Sequence, residues 1–297
     1  MYNRARYLIF FQYIGTKYSG AAKVPPLQTW VKGVQDHIED ALQRLRPLNP
    51  VSLYISSRTD SGVHALSNSA HFDFQRKNDK PPFTEDILVE ALNFHLRTEQ
   101  ISVTRAHRVP DDFNARFRAL SRTYVYRIAL GSQVPLVERD MCWNLRHTEL
   151  DVGAMSEAAA VFVGTHDFSS FRAMNSDAAF KNPVKTLDVV RIEPRRGFIC
   201  EHFHRDVPLW ELTFQSKSFL YKQVRRMTGA LVAVGQGRLT LTKLKEIMEA
   251  RDSLAYPSTM TAPPQGLFLT RVNYSESDLL LSPQTSASTP STGVSDE

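Results

Sequence analysis

The chain has 297 residues, of which 42% are hydrophobic and 23% are charged, a composition typical of a globular protein with one large domain or two. Its two cysteines, Cys142 and Cys200, exclude both a disulfide framework and a zinc site of four thiolates, so a reducing compartment is expected. No run approaches eighteen apolar residues, which excludes a membrane-spanning helix, and the net charge of +5 favours a polyanionic partner.

The amino-terminal segment is basic and free of acidic residues. The first 35 residues contain no Asp or Glu, which is typical of organellar transit peptides. Residues 5–14, however, predict the first strand of the fold, so any presequence would be very short. The apolar run at 8–11 is too short for the core of a secretory signal.

The first half of the chain predicts alternating strands and helices. Apolar residues at helical spacing from Val34 to Leu45 indicate one helix, which Pro47 ends, and Thr84 can cap a second. The predicted order is a strand over 5–14, a helix over 32–46, strands over 51–55 and 70–74, a helix over 84–97 and a strand over 101–109. The second helix is expected to bury Ile87, Leu88, Ala91, Leu92 and Leu96.

The second half repeats this order loosely, without a repeated sequence. Its predicted elements are a strand over 123–130, a helix over 150–163, strands over 186–193 and 209–216, helices over 219–234 and 242–251, and a strand over 267–274. This alternation predicts an α+β fold with helices on one side of a sheet, divided into halves at 1–110 and 111–274. Residues 275–297 are rich in Ser, Thr and Pro, and we expect a disordered tail there.

A polar turn between two predicted strands carries the first candidate for chemistry. Asp60 lies in it beside Arg58, with Gly62 as the flexible position. A loop held by two strands presents a side chain on a rigid and accessible support, and a neighbouring guanidinium keeps a carboxylate ionised. The alternative is that Asp60 only accepts a local backbone hydrogen bond in an Asx turn.

Two further segments combine basic and apolar residues. Residues 115–127 interleave four arginines with aromatic residues, a composition that binds phosphates and stacks bases; the alternative is a solvated strand face with Tyr124 and Tyr126 packed in the core. In residues 219–229, Val224 and Met227 flank Arg225, which would hold it near an apolar edge; the alternative is an ordinary wet helix face. The candidates for contacts with an RNA backbone are Arg116, Arg118, Arg122, Lys222 and Arg226.

Five ordered motifs resemble those of the tRNA pseudouridine synthase A family. Residues 58–65, RTDSGVHA, resemble its R-T-D-x-G-V-H-A signature, and residues 115–126 resemble its A-R-F…R-x-Y-x-Y stretch. Residues 219–229 resemble its F-x-x-x-x-V-R-x-x-x-G helix, residues 164–171 its G-x-H-D-F-x-x-F motif and residues 266–269 its G-L-x-L. The resemblance spans residues 5 to 274 and is strongest to the animal branch of the family.

The resemblance implies a fold, a reaction and a set of roles. The implied fold is two similar α+β halves around a continuous, mostly antiparallel sheet, with helices on one side and a central basic cleft. The implied reaction isomerises uridine in RNA to pseudouridine without a cofactor. Asp60 is then the catalytic residue, Arg225 its ion-pair partner and Tyr124 the ring over the target base. Arg58 would fill the vacated stack or hold a phosphate.

The resemblance also implies RNA, and tRNA in particular, as the partner, and a mitochondrial location, with the cytoplasm and nucleus as alternatives. We expect no metal and no membrane association, and a monomer and a homodimer are both open. One departure from the family falls in residues 20–23, where G-A-A-K replaces a G-W-Q-type element that touches RNA. The identity of the modified uridine therefore does not follow from the resemblance.

Two rival functions are kept. The first is an RNA-binding protein that has the cleft but no chemistry. The second is a metal-dependent phosphoesterase using Asp60, His64 and His71, although their spacing gives no compact helical pair of ligands.

Overall fold

The structure is a computed structural model that describes residues 4–24, 31–146, 148–174, 181–196 and 207–281. Cys200 and most of the predicted tail lie outside these residues. Among the helices of the described chain, none combines the length and apolar character needed to cross a bilayer.

The first half contains the predicted elements in the predicted order. They are β1 (Arg4–Tyr13), α1 (Val34–Arg44), β2 (Tyr54–Ile55), β3 (His64–Gln75), α2 (Glu85–Leu96) and β4 (Ile101–Val109). Strand β3 begins six residues earlier than the sequence pattern indicated, so the loop that carries Asp60 is shorter and more tightly held between β2 and β3.

The second half is longer and contains elements that the pattern did not show. They are β5 (Ser121–Leu130), β6 (Trp143–Leu145), α3 (Val152–Ala160), β7 (Gly164–Asp167), β8 (Val184–Arg195), β9 (Leu209–Ser216), α4 (Gln223–Gly235), α5 (Leu241–Ala250), β10 (Leu267–Asn273) and α6 (Glu276–Leu279). The unpredicted β6 and β7 are too short for a periodicity. Helix α6 lies within the first residues of the segment expected to be disordered.

One sheet runs through both halves. Within the described residues it has ten strands, in the order β4-β1-β3-β10-β5-β9-β8-β7, with β2 paired to β3 and β6 paired to β5. The pairs are antiparallel except β10 with β3 and β5 with β6. The last strand of the core, β10, therefore joins the halves, because it lies between β3 of the first and β5 of the second.

The two faces of the sheet carry different layers. On β1, Tyr7 and Ile9 point into the large core that also holds the buried residues of helices α1 to α5. Leu8 and Phe10 point to the opposite face, where a smaller cluster contains Phe113 and Ala115 and is packed by α6. The predicted α+β fold, with its mostly antiparallel sheet, is thus confirmed, and the main helices lie on one side.

One predicted core position is wrong. Ile87 on α2 is 52% exposed, while Leu88, Leu92 and Leu96 form the buried stripe. A helix that packs on a sheet with one face buries only about a third of its circumference. Ile87 lies outside that buried face. The division of the core at residue 110 stays a prediction.

Candidate active site

Asp60 and Arg225 meet where the two halves of the sheet adjoin. A guanidinium Nη1 of Arg225 donates to Oδ2 of Asp60 at 2.9 Å, although the residues are 165 positions apart. Both side chains are mostly buried, at 12% exposure for Arg225 and 18% for Asp60. The predicted ion pair is therefore present, and it connects the β2–β3 loop to the first turn of α4.

Arg225 is itself fixed in place by backbone. Its Nε donates to the carbonyl oxygen of Ala262 at 2.8 Å, and the amide of Ala262 donates back to the carbonyl of Arg225 at 3.1 Å. The guanidinium thus bridges Asp60 to the segment that precedes β10. On the other side of this segment, Pro264 packs against Gly62, where an added Cβ would lie 3.0 Å from the proline ring.

The loop around Asp60 is braced on its inner side by the start of the chain. The hydroxyl groups of Tyr13 and Thr59 are 2.8 Å apart and share a hydrogen bond, and the hydroxyl of Ser61 donates to the carbonyl of Tyr18. Gly20 has a φ of +108°, and a Cβ there would lie 2.7 Å from the carbonyl oxygen of Thr59. Close approach of two backbones therefore requires glycine at this position.

Arg122 supports residues 56 and 57, at the start of the same loop, and its position corrects a prediction made from the sequence. It was predicted to contact an RNA backbone, but it is only 7% exposed. Its guanidinium donates to the hydroxyl of Ser57, to the carbonyl and hydroxyl of Ser56, and to the carbonyls of Arg116 and Lys217. With its donors engaged inside the protein, Arg122 has a structural place under the loop and does not face phosphate.

Tyr124 lies on the same side of β5 as Arg122, next to the ion pair of Asp60 and Arg225. Its ring is 8% exposed and meets Phe219 edge to face, with 5.2 Å between ring centroids. Burial raises the pKa of its phenol, the nearby charge of Asp60 adds to this, and the hydroxyl of Ser57 lies within its hydrogen-bonding reach. The phenol is therefore neutral at physiological pH and forms an apolar wall beside Asp60.

The two histidines that suggested a metal have other partners. His64 is fully buried, its Nδ1 accepts from the amide of Gly15 at 3.0 Å, and Nε2 lies 3.0 Å from the carbonyl of Asp140. Because a carbonyl only accepts, Nε2 carries the proton, and the ring serves as a neutral spacer; burial lowers its pKa. In the described chain no three His, Cys, Asp or Glu side chains are grouped so as to hold a metal ion.

His71 is likewise engaged. Its Nδ1 accepts from the amide of Ala115 at 3.2 Å, and burial lowers the pKa of its ring to about 4. Asp73, on the same strand, is held by Arg6 through two contacts of 2.8 and 2.9 Å. With both ring nitrogens of His64 and Nδ1 of His71 engaged, the phosphoesterase alternative keeps only Asp60 of its three proposed residues.

The remaining basic candidates divide into exposed and buried groups. Arg58, Arg116 and Arg118 are exposed and Lys222 is half-buried, so they can reach a ligand from solvent. The prediction that Arg226 contacts an RNA backbone is corrected, because this residue is 8% exposed and donates to the carbonyls of Ser170 and Arg172. Its place on the buried side of α4 removes it from the predicted phosphate contacts.

Sequence reasoning missed the groups that position the loop, namely Ser57, Thr59, Tyr13 and the carbonyl of Ala262. A signal for Arg122 was present, because in a strand residues 122, 124 and 126 point to one side. The alternative in which Tyr124 and Tyr126 pack in the core therefore already placed Arg122 inside. No comparable signal exists for a carbonyl group or for a hydroxyl in an irregular segment.

Comparison with known proteins gives a consistent result. A sequence model of the family described as tRNA pseudouridine synthase matches residues 9–118 and 158–275. The chain is 52% identical over 281 residues to a protein of Xenopus laevis named tRNA pseudouridine synthase-like 1, covering 93% of this chain and 94% of the relative. A human protein of the same name is 49% identical over 277 residues, covering 91% and 90%.

Bacterial relatives are more distant but also match nearly end to end. A protein of Cereibacter sphaeroides named tRNA pseudouridine synthase A is 39% identical over 272 residues, covering 91% of this chain and 96% of the relative. The residues matched by the family model include the β2–β3 loop and α4, which meet in the contact between Asp60 and Arg225, whereas β5 falls between the two matched segments.

Proposed function

The chain belongs to the tRNA pseudouridine synthase family and isomerises uridine in RNA to pseudouridine, and from this premise we propose that Asp60 is the catalytic carboxylate. The observation that carries the proposal is the 2.9 Å contact between Asp60 and Arg225. In this contact a fixed guanidinium orients the carboxylate of Asp60 within a partly buried site, and Tyr124 lies beside the pair.

The reaction needs only groups that this site holds. The bond from N1 of uracil to C1′ of ribose breaks, the base turns, and a bond from C5 to C1′ forms, while C5 loses a proton and N1 gains one. The change is redox-neutral and requires no external energy. Asp60 acts at the ribose, either by attacking C1′ or by removing a sugar proton, and Arg225 fixes Oδ2 so that the carboxylate keeps one orientation.

Tyr124 supplies the surface against which the base turns. The target base must leave its stack to reach a partly buried carboxylate, and an aromatic ring offsets part of the lost stacking. The edge contact with Phe219 holds the ring in place, and its neutral phenol adds no charge beside Asp60. For Arg58, which is exposed and two residues from Asp60, we propose that it fills the vacated stack or holds a phosphate.

The substrate is RNA, and we assign tRNA as its class. Support comes from the names of the relatives and from the net charge of +5, which favours a polyanion. Exposed Arg116, Arg118 and half-buried Lys222 are the proposed backbone contacts. Pseudouridine mapping in RNA from cells that lack the protein would identify the modified position, and unchanged tRNA would contradict the assignment.

Release of tritium from C5 tests the chemistry. RNA transcribed with tritium at C5 of uridine is incubated with wild type and with Asp60→Asn, each with and without EDTA. We expect release by wild type alone, at the same rate in both buffers, because C5 loses its hydrogen in the reaction. Loss of the wild-type signal in EDTA would favour metal chemistry instead.

A matched control separates charge from fold. Asp73 also pairs with an arginine and is partly buried, but it belongs to the framework around β1 and β3. Asp73→Asn should therefore release tritium as wild type does. The rival function, an RNA-binding protein without chemistry, predicts no release by any variant across a broad RNA pool, with RNA binding intact.

For location we propose the mitochondrion. The basic, acid-free character of the first 35 residues supports it. The test is protease protection of a carboxy-terminally tagged full chain in isolated organelles. Protection that is lost only on lysis of the inner membrane is expected, and a tag found in the cytosol or nucleus would overturn the proposal.

A further inference from the structure

We propose that an exposed surface beside the active site, formed by Tyr54, Arg116 and Phe117 and called here the aromatic rim, stacks unpaired bases of the RNA strand that carries the target uridine. This inference rests on the proposed function and extends it from the reacting uridine to its neighbours. None of the catalytic steps above uses Tyr54 or Phe117.

Phe117 is unusually accessible for a large apolar residue. It is 74% exposed, and the guanidinium of Arg116 lies 5.7 Å from the centre of its ring. Exposure of the phenylalanine ring to water is unfavourable in free energy, and packing in the core does not compensate for it. The same pair gives a stacking face and a cation, which are the two groups that bind single-stranded nucleic acid.

The segment that presents Phe117 is held rigid. The side-chain carbonyl of Asn114 accepts from the amides of Arg116 and Phe117, at 3.0 and 3.2 Å. Arg118 is tied to Asp112 at 2.9 Å and to Asp278 of α6 at 3.3 Å. A ring on such a support loses little conformational entropy when a base stacks on it, which favours binding.

Tyr54 belongs to the same framework. It is 58% exposed on β2, and its ring stacks on His71 with centroids 5.0 Å apart. His71 in turn accepts from the amide of Ala115, next to Arg116. Two accessible aromatic residues are thus linked by one buried imidazole, on the face of the sheet opposite the main helices.

The rim also adjoins the catalytic loop. The guanidinium of Arg122 donates to the carbonyl of Arg116 at 3.0 Å and to the carbonyl of Ser56 at 3.1 Å. Ser56 begins the turn that leads to Asp60. The buried side chain of Arg122 therefore connects Arg116 to the start of this turn. An RNA strand with its uridine at Asp60 therefore has neighbouring bases within reach of the rim.

The experiment measures affinity and its salt dependence separately. Filter binding uses pooled, unmodified tRNA transcripts and proteins that carry Asp60→Asn, so that no turnover occurs. Phe117→Ala should weaken binding roughly 5-fold to 160-fold, the range for loss of one stacked base. The slope of log Kd against log salt should not change, because stacking releases no counterions. Arg116→Ala should instead lower that slope by about 0.7 to 0.9.

The chain offers a matched control on α2. Phe94 is 58% exposed and has Arg97 over its ring at 4.6 Å, but α2 packs against β4, the edge strand of the sheet, away from the junction of β3, β10 and β5 where the two halves meet. Phe94→Ala should bind RNA as the parent protein does. Phe117→Tyr should also bind as the parent does, and Tyr54→Ala should weaken binding with an unchanged slope.

Three outcomes would overturn the proposal. Phe117→Ala could bind with parental affinity, or it could lower the salt slope as Arg116→Ala does. Phe117→Ala could also change the sedimentation coefficient of the free protein while RNA binding stays intact, which would identify a protein interface. Failure of the function itself is distinct, because it appears as absent tritium release in wild type, whatever the rim variants bind.

Discussion

The ion pair of Asp60 and Arg225 should stabilise the fold as well as the site, and a double-mutant cycle can measure this. Arg225→Met removes the contact with Asp60 and the contact with the carbonyl of Ala262. Asp60→Asn keeps the shape of the side chain and removes its charge. The free energy of unfolding is measured for wild type, both single variants and the double variant by urea titration.

The magnitude follows from burial and geometry. An exposed pair is worth about 0 to 1 kcal/mol, and removing one partner of a fully buried pair costs about 3–5 kcal/mol. With exposures of 12% and 18% and a 2.9 Å contact, this pair lies between the limits. We expect about 3 kcal/mol for Arg225→Met, about 1–2 kcal/mol for Asp60→Asn and a coupling energy of about 1.5 kcal/mol.

The Arg6–Asp73 pair provides the comparison. It has two contacts of 2.8 and 2.9 Å and similar burial, so a cycle there should give a similar coupling energy while tritium release stays at the wild-type rate. A coupling energy of zero between Asp60 and Arg225 would refute the reasoning, because the pair would then not hold the loop against α4.

Three further predictions concern single residues. Arg122→Met should cost about 3 kcal/mol in urea unfolding and slow turnover at saturating RNA, because the guanidinium ties residues 56 and 57 to β5; unchanged turnover would remove it as a support of the loop. Tyr124→Ala should lose most turnover with little loss of RNA affinity, because stacking on Tyr124 only offsets what the target base loses on leaving its stack and phosphate contacts supply most of the remaining binding; a collapse of affinity would contradict this role. The folded state holds the pKa of His71 at about 4, below its unfolded value near 6.5, so the unfolded chain binds more protons between these values. Stability should therefore fall as pH drops from 6.5 towards 4, by up to about 3 kcal/mol from this residue, and His71→Gln should flatten that part of the urea-midpoint profile.

Elements with clear periodicity were predicted well from the sequence. The predicted bounds of β4 and β9, at 101–109 and 209–216, coincide with the structure; burial alternates over residues 212–216 of β9, whereas in β4 the alternation shifts after Val103. Helix α4 was predicted to start at 219 but starts at Gln223, since Lys222 has a φ of 56° and its left-handed backbone precedes the first helical turn. Periodicity describes side-chain faces and carries no signal for such a turn.

The site shows the same division. The pairing of Asp60 with Arg225 followed from the resemblance, because a family motif carries information about distant contacts that local pattern lacks. The predictions for Arg122 and Arg226 were wrong because composition does not show which way each side chain points. Both are buried, and both satisfy backbone carbonyls from inside the protein. The side of a strand or helix on which a charged residue lies determines whether it can contact a ligand or only the interior of the protein.

The most direct test of the account is the nucleoside content of RNA after a single turnover. Equimolar protein and tRNA transcript are incubated, the RNA is digested, and pseudouridine is separated from uridine by chromatography and counted. The account predicts pseudouridine with wild type and Asp73→Asn, and none with Asp60→Asn even though that variant binds the RNA. Pseudouridine formed by Asp60→Asn at the wild-type rate would contradict it.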